Sequence, residues 1–429
     1  MHKIISLFSA LLLTIPSFST IYYVAPSGND ANPGSIDQPL LTIQKAQTKV
    51  KAGDTVYIRG GHYRMTTDQV AQYQRIWAYV THLDHSGRPD HRINYWAYPG
   101  EHPVFDYSAI APPGYRINAF QVDGSWIHIK GLEIIGVQVT IRTHTQSECF
   151  ENLGSHNIYE QCSMHDGMAI GFYLKEGGDN LVLNCDAYNN WDNVSENGRG
   201  GNTDGFGCHP NEETKSYANN IFRGCRAWFN SDDGYDCINA FEAVTFDHCW
   251  AFCNGYNASF QNLGDGNGFK AGGYGISPDA STPSTIPRNS IRFCLAVHNK
   301  ANGFYANHHP GGDDWFNNSA YNNGINFNML NRSPDHLSDI AGYSHNLRNN
   351  LGLGARSQEV SHLDTLHSIA LDNYFNLHIT ISPSDFLSLD ESQLSAPRQP
   401  DGSLPDISFM HLASGSPLTS LNLGCFTTH

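Results

Sequence analysis

The chain has 429 residues, with 25 Lys or Arg against 41 Asp or Glu and a formal net charge of −16. That excess of negative charge repels phosphate backbones and argues against nucleic-acid binding. With 40% hydrophobic and only 15% charged residues, the composition is that of a folded chain and excludes wholesale disorder.

The N-terminus reads as a targeting segment. Met1, His2 and Lys3 make a short basic start, Ile4 to Pro16 is almost wholly apolar, and Ser17 to Thr20 supplies small residues. This is the layout of a secretory signal peptide over residues 1–20. Its apolar run is too short for a membrane span, which needs ~20 residues. The expectation is therefore a secreted, periplasmic or cell-surface protein with no membrane partner. Residues 21–429 are expected to form one domain. Leu40 to Val50 has helical periodicity and predicts a helix that caps an open end. Residues 55–150 alternate as strands, as in Asp54-Thr-Val-Tyr-Ile-Arg.

A repeat follows. Cys185-Asp-Ala-Tyr-Asn-Asn190, Cys225-Arg-Ala-Trp-Phe-Asn230, Cys249-Trp-Ala-Phe-Cys-Asn254 and Cys294-Leu-Ala-Val-His-Asn299 share one frame. Asn318-Ser-Ala-Tyr-Asn-Asn323 keeps it with Asn for Cys, and Cys162-Ser-Met-His-Asp-Gly167 is a degenerate copy. The steps between first positions are 23, 40, 24, 45 and 24 residues, so two units are enlarged. Gly-Phe pairs recur downstream of the repeat: Gly171-Phe172, Gly205-Phe206, Gly268-Phe269 and Gly303-Phe304. Short strands at this period, joined by Asn and Gly turns, predict an all-β parallel β-helix. One coil cannot bury its inward residues alone; stacking at ~4.8 Å makes a continuous core. The Cys column is expected to point inward as free thiols, and the Asn column to hydrogen-bond its own copies along the stack. From about Ser382 the repeat fades into an irregular C-terminal segment.

Most carboxylates here serve equally well as turn residues. One group is denser: Asp232, Asp233 and Asp236, with Asp204 one coil earlier. Stacked on one face, these carboxylates repel unless neutralised, and Ca²⁺ accepts 6–8 oxygens in flexible geometry. The spacing is not that of an EF-hand loop, so turn-forming aspartate stays the alternative. One coil on, Lys270 sits in Gly264-Asp-Gly-Asn-Gly-Phe-Lys270, at a strand position flanked by glycines. Taken alone it is also readable as a snorkelling surface lysine. The two enlarged units flank this patch, and their loops are expected to wall a groove.

On these segments, with Ser195-Glu-Asn-Gly-Arg-Gly-Gly-Asn-Thr-Asp-Gly-Phe-Gly207 and Asn302-Gly-Phe-Tyr-Ala-Asn-His-His-Pro-Gly-Gly312, the chain resembles polysaccharide lyase family nine, the pectate-lyase-L-like enzymes. The resemblance runs from Tyr22 through Arg332 and more weakly to Pro417; Leu418 to His429 departs from the family's usual ending. It implies a right-handed parallel β-helix of about ten coils. It also implies a Ca²⁺ held by Asp204, Asp232, Asp233 and Asp236, and Lys270 as Brønsted base. The implied reaction is β-elimination on a galacturonate of an acidic pectic polysaccharide by a monomer, with an alkaline optimum, because an ordinary lysine is protonated at neutral pH. The metal and base act on the galacturonate shared by pectate and the rhamnogalacturonan I backbone, so both polymers stand as substrates.

Two other readings compete. A pectin hydrolase on the same solenoid lacks support, since no Gly-His-Gly or Arg-Ile-Lys occurs. A non-catalytic glycan-binding solenoid is separated from an enzyme by the role of Lys270. Zinc chemistry finds no His-x-x-x-His or Cys-x-x-Cys spacing among the 22 histidines and ten cysteines. Arg199, Arg226 and Arg332 are candidate contacts to substrate carboxylates, with a purely structural role an equal alternative. Trp191, Trp228, Trp250 and Tyr305 are candidate sugar-stacking residues, with core packing as the alternative. His308 and His309, being adjacent, are expected to face opposite ways.

Overall fold

The structure is a computed structural model that describes residues 19–210, 218–274, 285–377 and 379–427. The signal-peptide segment lies almost wholly outside the described residues. Three long sheets run the length of the molecule, with twelve, ten and eleven strands. Successive visits of the chain add one strand to each in turn, as in Asn220–Arg223 (first sheet), Arg226–Trp228 (second) and Tyr235–Asp236 (third). Within these three sheets, among the described residues, every pairing is parallel except Gln72–Gln74 against Trp77–Leu83. Parallel neighbours without helical crossovers require a coil, and the ten-stranded second sheet matches the expected ten or so turns.

The repeat letters explain how the coils close. Phe206, Tyr235, Phe269, Phe304 and Phe327 stack inside with centroids 5.0, 4.6, 5.2 and 5.0 Å apart. Each is almost fully buried, which contributes about 1.5–3 kcal/mol per ring. The glycines before Phe206, Tyr235 and Phe269 face the alanine of Cys-x-Ala across the coil. A Cβ on Gly205, Gly234 or Gly268 would lie 2.8, 3.0 or 3.3 Å from the Cβ of Ala227, Ala251 or Ala296, and 2.9 Å from a ladder asparagine amide. Small residues in both columns therefore answer to one close approach. Tyr235 holds a ring position that the Gly-Phe pattern did not reveal.

All ten cysteines are free and buried. Cys185, Cys225 and Cys249 each donate to carbonyls of their own and the preceding coil, the inward thiol column expected from sequence. The Asn column is a hydrogen-bonded ladder: Asn190 to Asn230, Asn230 to Asn254, Asn254 to Asn299 and Asn299 to Asn323, at 3.1, 3.1, 2.9 and 2.9 Å. Where Asn318 replaces cysteine, a second ladder begins, Asn318 to Asn350 to Asn373. The residue before each ladder asparagine is left-handed, with φ of 53°, 51°, 56°, 52° and 55° at Asn189, Phe229, Cys253, His298 and Asn322. That conformation is costly for a residue with a side chain, and the ladder on its C-terminal side holds it.

The ends depart from the repeat. The N-terminal helix spans only Ile43–Gln47, shorter than the Leu40–Val50 expected, because Leu40 is held in a β-bridge with Val24. Ile43 and Ala46 join the core of the first coils. At the other end the chain folds back along the second sheet after Ile369–Leu371. Arg398 Nη2 binds Asp186 at 2.6 Å, and Arg226 bridges Asp186 at 2.8 Å and the carbonyl of Ala396 at 2.8 Å. Phe409, Met410 and Leu418 bury in the common core. Arg226 is thus a buried clamp and not a groove residue. Trp250 is buried, and Trp228 is sandwiched between Tyr188 and Phe252 at 4.2 and 5.3 Å.

Candidate active site

The third sheet carries the candidate residues because of where they fall around the inward ring. The residue two before the ring is Asp204, Asp233 or Asn267 in three consecutive coils. The residue after it is Gly207, Asp236, Lys270 or Tyr305, in mutual register on adjacent strands. Alternation puts these after-ring residues on the face opposite the core. The expectation that three successive coils bring the aspartates and Lys270 together holds geometrically.

Carboxylate oxygens of Asp204, Asp232 and Asp233 lie within 4.8 Å of one another, and all three side chains are buried. Backbone amides fix them. Asp204 Oδ1 accepts from Asp233 N at 3.1 Å, Asp232 Oδ1 from Asp265 N at 2.7 Å, and Asp233 Oδ1 from Asn267 N at 2.6 Å. Gly264 makes room: a Cβ there would sit 2.8 Å from Asp232 Oδ1. Asp236 stands beside this convergence. Its Oδ1 accepts from Ile238 N at 2.7 Å and its Oδ2 from Lys270 Nζ at 3.0 Å. Lys270 Nζ also lies 3.1 Å from Asp233 Oδ2, an oxygen with no well-formed hydrogen bond of its own.

The electrostatics follow from crowding. Burial pushes the Asp204 carboxyl well above the usual range, and Asp236, Asp232 and Asp233 push it further. Burial and then Asp233 do the same to Asp232. Burial would lower the Lys270 ammonium, but the four carboxylates outweigh it and hold the proton well above the ordinary lysine range. Lys270 pairs directly with the cluster through Asp233 and Asp236. Several hard oxygens converging on one buried point, with one oxygen poorly satisfied, fit a divalent cation of the calcium kind.

Sequence reasoning passed over several neighbours. Asn267 positions Asp233 and accepts from Asn302 Nδ2 at 2.6 Å, continuing an amide chain to Asn328. His209 is buried with Nε2 3.9 Å from Asp236 Oδ1, and burial lowers its pKa. Asp265 and Asn267 lie in the very Gly-rich segment that holds Lys270, which was the available signal. Of the residues singled out from sequence, Tyr305 lies next to Lys270 in register. Arg332 pairs with Asp339, which also lies 3.3 Å from His308. His309 is fully buried against the carbonyl of Pro287, so the adjacent histidines do differ in setting.

Fold and site together define a parallel β-helix protein with a buried acidic cluster lodged against a lysine. The Pel9A-like right-handed β-helix family matches residues 22–350. A pectate lyase L of Dickeya dadantii strain 3937 is 32% identical over 94% of this chain and 86% of its own length. The pectate lyase PEL9 of Emericella nidulans is 28% identical over 97% and 98%. Among solved structures, a rhamnogalacturonan lyase superposes with a TM-score of 0.92 at 43% identity, covering 95% of this chain and all of that one. Pectate lyase Pel9A superposes with a TM-score of 0.77 at 30% identity, covering 96% and 97%. The chain belongs to polysaccharide lyase family nine, and it is a polysaccharide lyase. No helix among the described residues is long and apolar enough to cross a membrane.

Proposed function

We propose that the protein is a secreted, calcium-dependent lyase that cleaves the pectic backbone at galacturonate by β-elimination. The observation that carries this reading is the contact of Lys270 Nζ with Asp233 and Asp236, beside the convergence of Asp204, Asp232 and Asp233. In it, the four aspartates hold the cation and Lys270 is the base. Bound there, calcium supplies positive charge that stabilises the enolate-like carboxylate of the substrate and competes electrostatically with the proton on Lys270. Lys270 Nζ, fixed by its strand, takes the C5 proton. The C5–H electron pair becomes the C4–C5 double bond, the C4–O bond breaks, and the departing oxygen is protonated from solvent. Asn267 orients Asp233, and backbone amides keep the other carboxylates aimed without side-chain rearrangement.

Pectate is one substrate of this chemistry. A second reading, the alternating rhamnose–galacturonate backbone, is favoured by the 43% identity to a rhamnogalacturonan lyase over that chain's whole length, against 30% to pectate lyase Pel9A. The test is release of ultraviolet-absorbing unsaturated product from polygalacturonate and from rhamnogalacturonan I, each with calcium and with EDTA. Unsaturated ends that need calcium support the reading. Saturated ends, or turnover unaffected by chelation, overturn it.

A further inference from the structure

A second group of metal-ligating side chains lies at the turn between the second and third sheets. Trp228, Phe252 and Val297 are in register, so the left-handed residues that follow them, Phe229, Cys253 and His298, stack in one column. Two of these three are ligand types. A third comes from far away: Glu391 opens the 3₁₀ turn Glu391–Ser395 in the C-terminal segment. Ligand atoms of Cys253, His298 and Glu391 all lie within 4.8 Å of one another. Glu391 Oε2 is 2.7 Å from His298 Nδ1, and Asn322, from the next coil in the same column, donates to Oε1 at 2.9 Å.

We propose that Cys253, His298 and Glu391 bind a zinc ion that fastens the C-terminal segment to the solenoid. Thiolate, imidazole and carboxylate are the set zinc prefers, and bonds of about 2.0–2.3 Å need only a small closure of the present spacing. Cys253 differs from the thiol column in kind. The thiols of Cys185, Cys225 and Cys249 donate to main-chain carbonyls, whereas the buried Cys253 thiol makes no such bond among the described residues and its backbone N is engaged with the carbonyl of Val297. Charge balances: on binding, the Cys253 S–H proton leaves to solvent, and thiolate plus carboxylate neutralise the two positive charges. Arg356, the nearby cation, is spent on the carbonyls of Asn299 and Lys300 at 2.7 and 3.0 Å. His298 and Glu391 side chains keep 26% and 27% exposure, which leaves a path for the ion and room for a water as fourth ligand. The ligands sit 45 and 93 residues apart, so no local spacing betrays them. The inference does not depend on the proposed chemistry at Lys270.

Cobalt(II) is the probe. The reduced full chain, freed of metal and then saturated with calcium to fill the acidic cluster, is titrated with cobalt and then zinc. One equivalent of cobalt should give a sulfur-to-cobalt charge-transfer band, bleached by zinc. Cys253→Ser should lose the band, and Glu391→Gln should weaken zinc binding by ~100-fold, at or beyond the range for weaker outer-sphere changes. Circular dichroism checks that each variant is folded. Absence of the band in the folded parent, or its persistence in Cys253→Ser, overturns the proposal; the parent measurement decides even if a variant fails to fold.

Discussion

Replacing Asn254 with alanine tests the ladder that runs from Asn190 to Asn323. Its amide Nδ2 donates to Asn299 Oδ1 at 2.9 Å and to the carbonyl of Ala227 at 3.1 Å. Its Oδ1 accepts from the backbone N of Asn230 at 3.3 Å and from Asn230 Nδ2 at 3.1 Å. Asn299 Oδ1 keeps a bond from Asn254 N at 3.1 Å, so its loss is partial. The two Asn230 donors are buried and lose this partner, at about 1–3 kcal/mol each. Asn254→Ala should therefore destabilise the protein by about 3–5 kcal/mol, whereas Ser259→Ala, at an exposed position, should stay within ~0.5 kcal/mol. Urea unfolding followed by circular dichroism reads both. A loss below ~1 kcal/mol for Asn254→Ala would mean that the ladder decorates the turn and does not hold it.

Other outcomes follow from the same structure. Asp186→Asn leaves the buried guanidinium of Arg226 and that of Arg398 without their shared carboxylate and should cost about 3–5 kcal/mol. Burial raises the Asp186 pKa, but the two arginines outweigh it and hold it below the usual range. Its stabilisation is therefore full above about pH 4 and lost as pH falls through the lowered folded value, and the acid limb of a melting-temperature profile should flatten in the variant. Gly234→Ala should be strongly destabilising, since the new Cβ meets the Gly268 carbonyl at 2.7 Å; unfolding at the parent temperature would contradict the close-approach argument. Calcium should raise the melting temperature by relieving repulsion among Asp204, Asp232 and Asp233, and Asp233→Asn should reduce that rise; calcium-independent melting of the parent would count against the site.

Much of the fold could be read from the letters because a solenoid writes its geometry as a column. Cys, Ala, Asn and Gly-Phe recur since each repeats one contact between neighbouring coils. Tyr235 escaped because a ring position accepts either aromatic. The aspartates and Lys270 were legible because they fall at fixed offsets from that ring on consecutive strands. Arg226 stayed open between a groove role and a structural one, because its partners include the carbonyls of Leu394 and Ala396, about 170 residues away in a segment with no repeat. The Cys253, His298 and Glu391 group was hidden for the same reason. His209 gave no signal, since its setting beside Asp236 depends on where one enlarged coil turns.

The most direct test of the proposed chemistry compares the parent with Lys270→Ala in saturating calcium, where the cluster no longer relies on the lysine ammonium for balance. Unsaturated product from rhamnogalacturonan I and polygalacturonate is followed by ultraviolet absorbance, with calcium binding measured alongside. The account predicts that the variant binds calcium as the parent does and releases no unsaturated product from either polymer. Turnover at the parent rate by Lys270→Ala would contradict it.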